Sequence, residues 1–314
     1  MAPVTVLVAT WGHGLFTVCD GAVRQDLADG LVTTVAMDGQ GGALVIVGGN
    51  SLRRRSAGGR WTTVGTSQYE LACCTALGDD ILAGTSDARV LRLTASGSFE
   101  QLDGFDSVAG RDTWYAGTAV VDGRVVGPPL GIRSMAATSD HSTLLANVHV
   151  GGIPRSTDGG VTWMPTIDIE CDVHQVCAHP ARPELVAAAA AVGLCVSRDG
   201  GATWSTESEG LHAPHCSAVA FSGDDILISA ASDQFASQGA IYRRPISGGG
   251  PLRPLGGGLP RWLDGIVDTG NIAANGSTVA VVDGAGNLYL SEDGAATWAK
   301  VAGDLPGPTG LLIC

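Results

Sequence analysis

One eight-residue segment occurs three times in this chain and constrains its fold more than any other feature. The copies are Ser156–Trp163, Ser197–Trp204 and Ser291–Trp298, which share the pattern S-x-D-G-x-x-T-W. Each copy follows a short apolar run, so its Asp-Gly pair predicts a hairpin turn. In such a turn the carboxylate accepts local backbone N–H groups, glycine allows positive φ, and the tryptophan packs against the turn. A unit repeated in this way indicates a repeat architecture.

The repeated segment resembles the Asp-box, and the chain resembles the Asp-box (BNR-type) β-propeller proteins. The resemblance implies a ring of four-stranded blades, and it implies no particular activity. The length of 314 residues suits one closed ring, and 46 glycines suit a protein with many tight turns.

Apolar runs alternate with turns at even spacing, which predicts an all-β chain folded as a seven-bladed β-propeller with four-stranded antiparallel blades. We name the strands of each blade A to D from the axis outward. The first 28 residues supply only three strands, so we expect Thr309–Cys314 to complete blade one as strand A and close the ring. Residues 1–314 then form a single β-propeller domain. Asp106–Pro129 are an insertion between blades three and four, expected over one mouth of the ring.

Composition excludes several classes of partner. The net charge of −13 argues against nucleic acid and against anionic membranes. No run of about 18 apolar residues is present, so no membrane-spanning helix is expected. The start of the chain reads as a strand rather than a signal peptide, and the eight scattered cysteines read as free thiols. Both features predict a cytoplasmic protein.

The histidines are distributed unevenly between the two faces of the predicted ring. The D-to-A and B-to-C connections lie on one face, which we call the upper face, and the repeated Asp turns lie on the lower face. Five of the seven histidines fall on the upper face near the axis: His13, His149, His174, His212 and His215. Acidic residues join them, and the alignment of the A strands places Asp268 opposite His215.

This concentration predicts a metal site in the funnel at the upper end of the central channel. Imidazoles on several rigid strands can converge on one ion, with carboxylates as ligands or as acceptors that orient the rings. We expect a divalent metal ion (iron, zinc, manganese or copper) on His13, His149, His174 and His215. Asp268, Asp172 and Arg133 are the expected catalytic groups. The predicted function is a metal-dependent enzyme for a small-molecule ligand, acting as an oxygenase, lyase or hydrolase.

Two alternatives remain open at this stage. Without a metal, a neutral histidine paired with Asp268 or Asp172 could serve as a general base, with Arg133 binding a substrate carboxylate. The protein could also be a non-catalytic scaffold that binds a protein or ligand across its upper face. Sialidase activity is not expected, because three blade-top arginines that could clamp a carboxylate are not found.

Overall fold

A ring of seven four-stranded antiparallel sheets forms the protein in the computed structural model, which confirms the predicted seven-bladed β-propeller. The structure describes residues 3–56, 58–117, 119–121, 124–126 and 130–314. Pro308–Ile313 pairs with Thr5–Thr10 as strand A of blade one, with Val8 opposite Leu311. The ring is therefore closed by the two ends of the chain, as expected.

The strands follow the order A, B, C and D in every blade. Blade one consists of Pro308–Ile313, Thr5–Thr10, Gly14–Cys19 and Ala22–Leu27, and blade two of Val32–Met37, Ala43–Val47, Ser51–Arg55 and Trp61–Thr66. Blade three consists of Leu71–Leu77, Asp80–Thr85, Val90–Leu93 and Phe99–Gln101, and blade four of Ile132–Ala137, Leu144–Val148, Pro154–Ser156 and Met164–Pro165. Blade five consists of Val173–Ala178, Val186–Ala190, Gly193–Ser197 and Ser205–Glu207, and blade six of Val219–Ser222, Asp225–Ala231, Gln238–Pro245 and Arg253–Pro254. Blade seven consists of Ile272–Asn275, Thr278–Val282, Leu288–Ser291 and Ala299–Ala302.

A few elements lie outside this pattern. Leu263–Asp264 pairs with strand C of blade six, and Ala119–Val121 pairs with Arg124–Val126 within the insertion. Short 3-10 helices occupy Asp103–Ser107, Arg111–Thr113 and Ile169–Cys171. Parts of the expected insertion, residues 118, 122–123 and 127–129, lie outside the described residues. No helix in the described part of the chain is long and apolar enough to cross a membrane.

Seven hydrophobic clusters hold the ring together, one between each pair of neighbouring blades. Every blade therefore buries both of its faces, which explains why the B strands are continuous apolar runs rather than alternating ones. Strand B of blade five, Val186–Ala190, is entirely buried and consists of one valine and four alanines. Small side chains there allow the adjacent sheets to approach closely.

The repeated Asp turn joins strands C and D on the lower face, and all three copies share the hydrogen bonds among their serine, aspartate and threonine. In the third copy Asp293 accepts the backbone N–H of Thr297 at 2.8 Å and the Thr297 hydroxyl at 2.6 Å. Ser291 donates to Asp293 and accepts the Ala295 N–H. Strand D of blade seven begins at Ala299, directly after Thr297 and Trp298, which belong to the turn.

Arginines near the lower ends of the C strands link blades three, four, five and six to the turn of the following blade. Arg155 of blade four, for example, donates from Nε to the Gly200 carbonyl in the Asp turn of blade five at 2.8 Å. Equivalent bonds to backbone carbonyls join three further pairs: Arg92 to Gly159, Arg198 to Ile246, and Arg243 to Gly294. The lower face is therefore organised around blade-to-blade contacts.

Removal of residues 308–314 tests ring closure. Leu311 and Ile313 are buried in the core between blades seven and one, so we expect the truncation to lower the free energy of unfolding by several kcal/mol. Chemical denaturation and size-exclusion chromatography measure the loss and any association through the exposed sheet edges. Cys314→Ala, which changes only an exposed side chain, is the control. A truncated monomer with unchanged melting temperature contradicts the topology.

Asp293→Ala and Glu292→Ala remove the same charge from adjacent exposed positions, but only the first removes turn hydrogen bonds. We expect Asp293→Ala to lower the melting temperature by a few degrees and Glu292→Ala to leave it nearly unchanged. Hydrogen bonds from Thr297 hold the pKa of Asp293 below its ordinary value. Its stabilising effect is therefore fully present above the unfolded-state pKa of about 4 and disappears as the pH falls through the native value. Equal melting temperatures for the two variants at pH 7 would refute a structural role for the turn.

Candidate functional site

The inner strands carry a β-bulge near their upper ends, and this irregularity positions side chains at the channel mouth. In blades one to five the pairing of strand A shifts by one residue, and the extra residues are Thr309, Thr33, Ala72, Arg133 and His174. A bulge re-aims the side chain of its extra residue. All of these except His174 line a channel of about 340 Å³ along the axis. Small residues thus occupy one side of the mouth, and Arg133 and His174 occupy equivalent positions on the other.

His174 is held by the neighbouring blade. Its Nδ1 lies 2.6 Å from the carbonyl oxygen of Cys216, and the side chain is 5% exposed. A carbonyl can only accept, so Nδ1 carries the proton and Nε2 has a free lone pair. That Nε2 lies 3.6 Å from Oδ2 of Asp172. A lone pair facing a carboxylate is unfavourable unless a proton or a cation lies between the two groups.

His149 has the opposite tautomer. The backbone N–H of Gly117, from the insertion, donates to its Nδ1 at 3.2 Å, so the proton of the neutral ring lies on Nε2. This Nε2 is 3.4 Å from Oδ1 of Asp172. A Cβ at position 117 would come within 2.0 Å of the imidazole, so the close approach requires glycine. Val150, which follows His149 in the chain, has a φ of +45°, a strained conformation for a β-branched residue.

Asp172 lies between the two imidazoles. It follows the 3-10 helix Ile169–Cys171 with φ of +47°, in the left-handed region. Its Oδ1 is buried without a hydrogen-bond partner among the described residues. Burial alone would raise the pKa of Asp172, but the proximity of His174, His149 and Arg133 outweighs it and lowers the pKa. The carboxylate is therefore charged at neutral pH.

His215 and Arg133 border this group. The His215 ring lies 4.7 Å from the ring of His174. Burial lowers the pKa of both His149 and His215 to about 4, assisted by the positive charge of Arg133 at His149 and by His174 at His215. Both imidazoles are consequently neutral near pH 7, which is the form that binds metals or accepts protons.

We call the group of His149, Asp172 and His174 the His–Asp centre. Their possible ligand atoms all lie within 4.8 Å of one another. The two N–O distances of 3.4 and 3.6 Å are too long for good hydrogen bonds. Each is close to the separation of about 3.4 Å expected between two atoms that both lie about 2.1 Å from one metal ion, with Asp172 presenting one oxygen to each imidazole. The donor set of two imidazoles and one carboxylate fits zinc, iron, manganese or copper.

The other predicted site residues have different positions. His13 lies in the exposed turn between strands B and C of blade one and is not part of the His–Asp centre. Asp268 contacts Arg133, with Oδ1 3.5 Å from Nη2, and its negative charge also acts on the pKa of His215. Thr269 also accepts from Arg133, at 3.3 Å. Arg133 therefore lines the channel and also lies close enough to the His–Asp centre for its charge to act on Asp172.

Sequence reasoning did not identify the groups that orient the centre. The Gly117 N–H and the Cys216 carbonyl are backbone groups without a side-chain signal, and each comes from a distant part of the chain. Tyr115 was also missed. Its backbone N–H donates to the carbonyl of Val150 at 3.3 Å, next to His149, and its pKa is raised by desolvation and by the negative charges of Glu170 and Asp172. Its occurrence in the predicted insertion was the only available signal.

Solved structures similar to this chain share its fold at low sequence identity. No protein-family model and no curated protein matches the chain. The GH74 enzyme of Niastella koreensis superposes on 96% of this chain and 47% of its own with a TM-score of 0.58 and 13% identity. The GH74 xyloglucanase of Xanthomonas campestris superposes on 95% of this chain and 47% of its own, with a TM-score of 0.55 and 16% identity. The chain thus spans about half the length of either enzyme. U3-55K is similar over 88% of this chain and 83% of its own, with a TM-score of 0.57 and 13% identity. These similarities establish the propeller fold alone.

Proposed function

We propose that the His–Asp centre binds a divalent transition metal and that the protein is a metal-dependent enzyme for a small molecule entering at the upper mouth. The spacing around Asp172 is the observation that carries this proposal. Two buried Nε2 atoms approach its two oxygens at distances that suit ligands of one ion better than hydrogen bonds. The buried Oδ1 supports the same interpretation, because it accepts no hydrogen bond of good geometry among the described residues and such an oxygen is costly.

The surrounding residues define how this chain would support such chemistry. His174 is oriented by the Cys216 carbonyl, which leaves its Nε2 lone pair aimed at the centre, as is typical of metal-binding histidines. His215 supplies a second neutral imidazole beside it. Arg133 can bind a carboxylate of the substrate, with Asp268 and Thr269 positioning its guanidinium. A bound metal would polarise the substrate or activate water.

One observation favours a metal-free acid–base site as the second candidate. Ligation through His149 Nε2 requires its proton to move to Nδ1, but Nδ1 faces the Gly117 N–H. Gly117 would have to turn away for the metal to bind. In the metal-free arrangement His149 keeps its proton on Nε2 beside Asp172, and His174 offers Nε2 as a general base.

Three further expectations from the sequence remain predictions. These are membership of the Asp-box family, a cytoplasmic location, and a small-molecule ligand rather than nucleic acid or a membrane. The threefold recurrence of the same hydrogen-bonded turn supports the first. The net charge of −13 supports the exclusion of nucleic acid.

Metal analysis of the purified protein tests the first candidate. After expression in metal-supplemented medium we expect close to one equivalent in the wild type and a large loss in His174→Ala and Asp172→Ala. His212→Ala is the matched control, because His212 lies on the same face but outside the His–Asp centre. All variants should remain folded by circular dichroism, since the blades bury their faces without an ion. Less than about a tenth of an equivalent in the wild type refutes the metal proposal.

Histidine NMR distinguishes the two candidates. In metal-free protein we expect the Nε2–H tautomer for His149 and the Nδ1–H tautomer for His174, with His149 and His215 neutral down to about pH 5. Their native pKa values lie below the unfolded value of about 6.5, so the unfolded chain binds more protons between these limits and stability rises with pH across that window. If zinc converts His149 to the Nδ1–H tautomer, His149 is a ligand. If zinc leaves both rings unchanged, the acid–base candidate replaces the metal proposal.

A further inference from the structure

A second cluster of aromatic and basic side chains lies on the upper face at blade six. It comprises His212, Tyr242, Arg261 and Trp262, which we call the Tyr242 cluster. His212 lies on the connection before strand A of this blade, three residues from His215, and Arg261 and Trp262 lie on the connection to blade seven. None of the four belongs to the His–Asp centre.

The buried hydroxyl of Tyr242 organises this cluster. The Tyr242 side chain is completely buried, yet its hydroxyl contacts three polar groups. It accepts the His212 backbone N–H at 3.1 Å and an Arg261 N–H at 3.0 Å, and it can donate to His212 Nδ1 at 2.9 Å. One donor and two acceptors are all that a hydroxyl offers, so every position is used. The pKa of His212 is lowered by burial and by the charge of Arg261, which keeps this imidazole neutral.

Arg261 and Trp262 form the exposed part of the cluster. The guanidinium carbon lies 4.4 Å from the centroid of the Trp262 ring, and the His212 ring meets the same indole edge-on at 4.8 Å. The indole nevertheless remains 42% exposed. Among the described residues no carboxylate lies within 4.0 Å of the Arg261 guanidinium, although acidic residues outnumber basic ones 31 to 18. The cluster thus presents a cation that has no carboxylate partner among the described residues beside a partly exposed indole.

We propose that the Tyr242 cluster is a binding site for a ring that has an apolar face and carries a single carboxylate. The carboxylate would pair with Arg261, and the ring would pack on the exposed part of Trp262. The same face carries Glu170, Asp172, Asp264 and Asp268, and their negative charges disfavour a phosphate dianion more strongly than a carboxylate monoanion. A sugar acid and an aromatic acid share the required chemistry. The site goes beyond the proposed metal centre and requires no metal.

Ligand-observed NMR with four defined probes tests this site. We expect saturation transfer to D-glucuronate, to benzoate or to both, and weak or no transfer to D-glucose and D-glucose 6-phosphate. Binding of glucuronate alone identifies a sugar acid, and binding of benzoate alone identifies an aromatic acid. Absence of transfer to both acids, or equal transfer to the 6-phosphate, overturns the proposal.

Variants then locate the binding. Arg261→Gln and Trp262→Ala should each weaken binding of the acid by about tenfold or more. Tyr242→Phe removes only the hydroxyl and should weaken binding with the fold retained, as judged by circular dichroism. Arg253→Gln, an exposed arginine on strand D of the same blade, is the matched control and should bind as the wild type does. Unchanged binding in both Arg261→Gln and Trp262→Ala overturns the assignment. The metal content of Arg261→Gln separates this result from the metal proposal, because it should equal that of the wild type whether or not the acid binds.

Discussion

Pairing between the two ends of the chain is the constraint on which the rest of the structure depends. Pro308–Ile313 fills the inner position of a blade whose other strands come from residues 5–27. With that strand in place, each of the seven interblade cores is covered on both sides and no blade presents a free face. Closure also brings distant segments together across the channel, so that Arg133 contacts Asp268, which is 135 residues away. The channel mouth exists only because the ring is complete.

The two faces of the ring serve different purposes because the same strand order is repeated around it. On the lower face the C-to-D turns are nearly alike, and arginines of one blade bind carbonyls of the next. Uniform turns suit a structural role. On the upper face the equivalent positions differ from blade to blade, from threonine and alanine to Arg133 and His174. Variation at equivalent positions of a rigid repeat is a direct way to build one asymmetric site.

The His–Asp centre depends on backbone as much as on side chains. Two residues in the left-handed region, Val150 and Asp172, flank or form it, and strain of this kind persists only where the surroundings enforce it. Backbone groups of Gly117 and Cys216 give its two histidines opposite tautomers. This asymmetry leaves the Nε2 lone pair of His174 free and ties His149 to the backbone of Gly117. The nearby Tyr242 cluster is also organised by one buried polar group, but it offers a cation rather than a carboxylate.

The sequence alone determined the architecture, because the repeated Asp turn, the spacing of apolar runs and the spare C-terminal strand are local patterns with local physical causes. It also placed His149, Asp172, His174 and His215 on one face, since strand order assigns every connection to the upper or lower side. Only the tertiary structure decided which of these residues meet. His13 lies on the predicted face yet in an exposed turn, and Asp268 contacts Arg133. The bulges that re-aim Arg133 and His174 arise in the pairing of strands A and B, whereas the groups that set the tautomers, the Cys216 carbonyl and the Gly117 N–H, come from the neighbouring blade and from the insertion. Such contacts depend on how strands pair and how neighbouring segments pack, and the residue pattern of a single strand does not predict them.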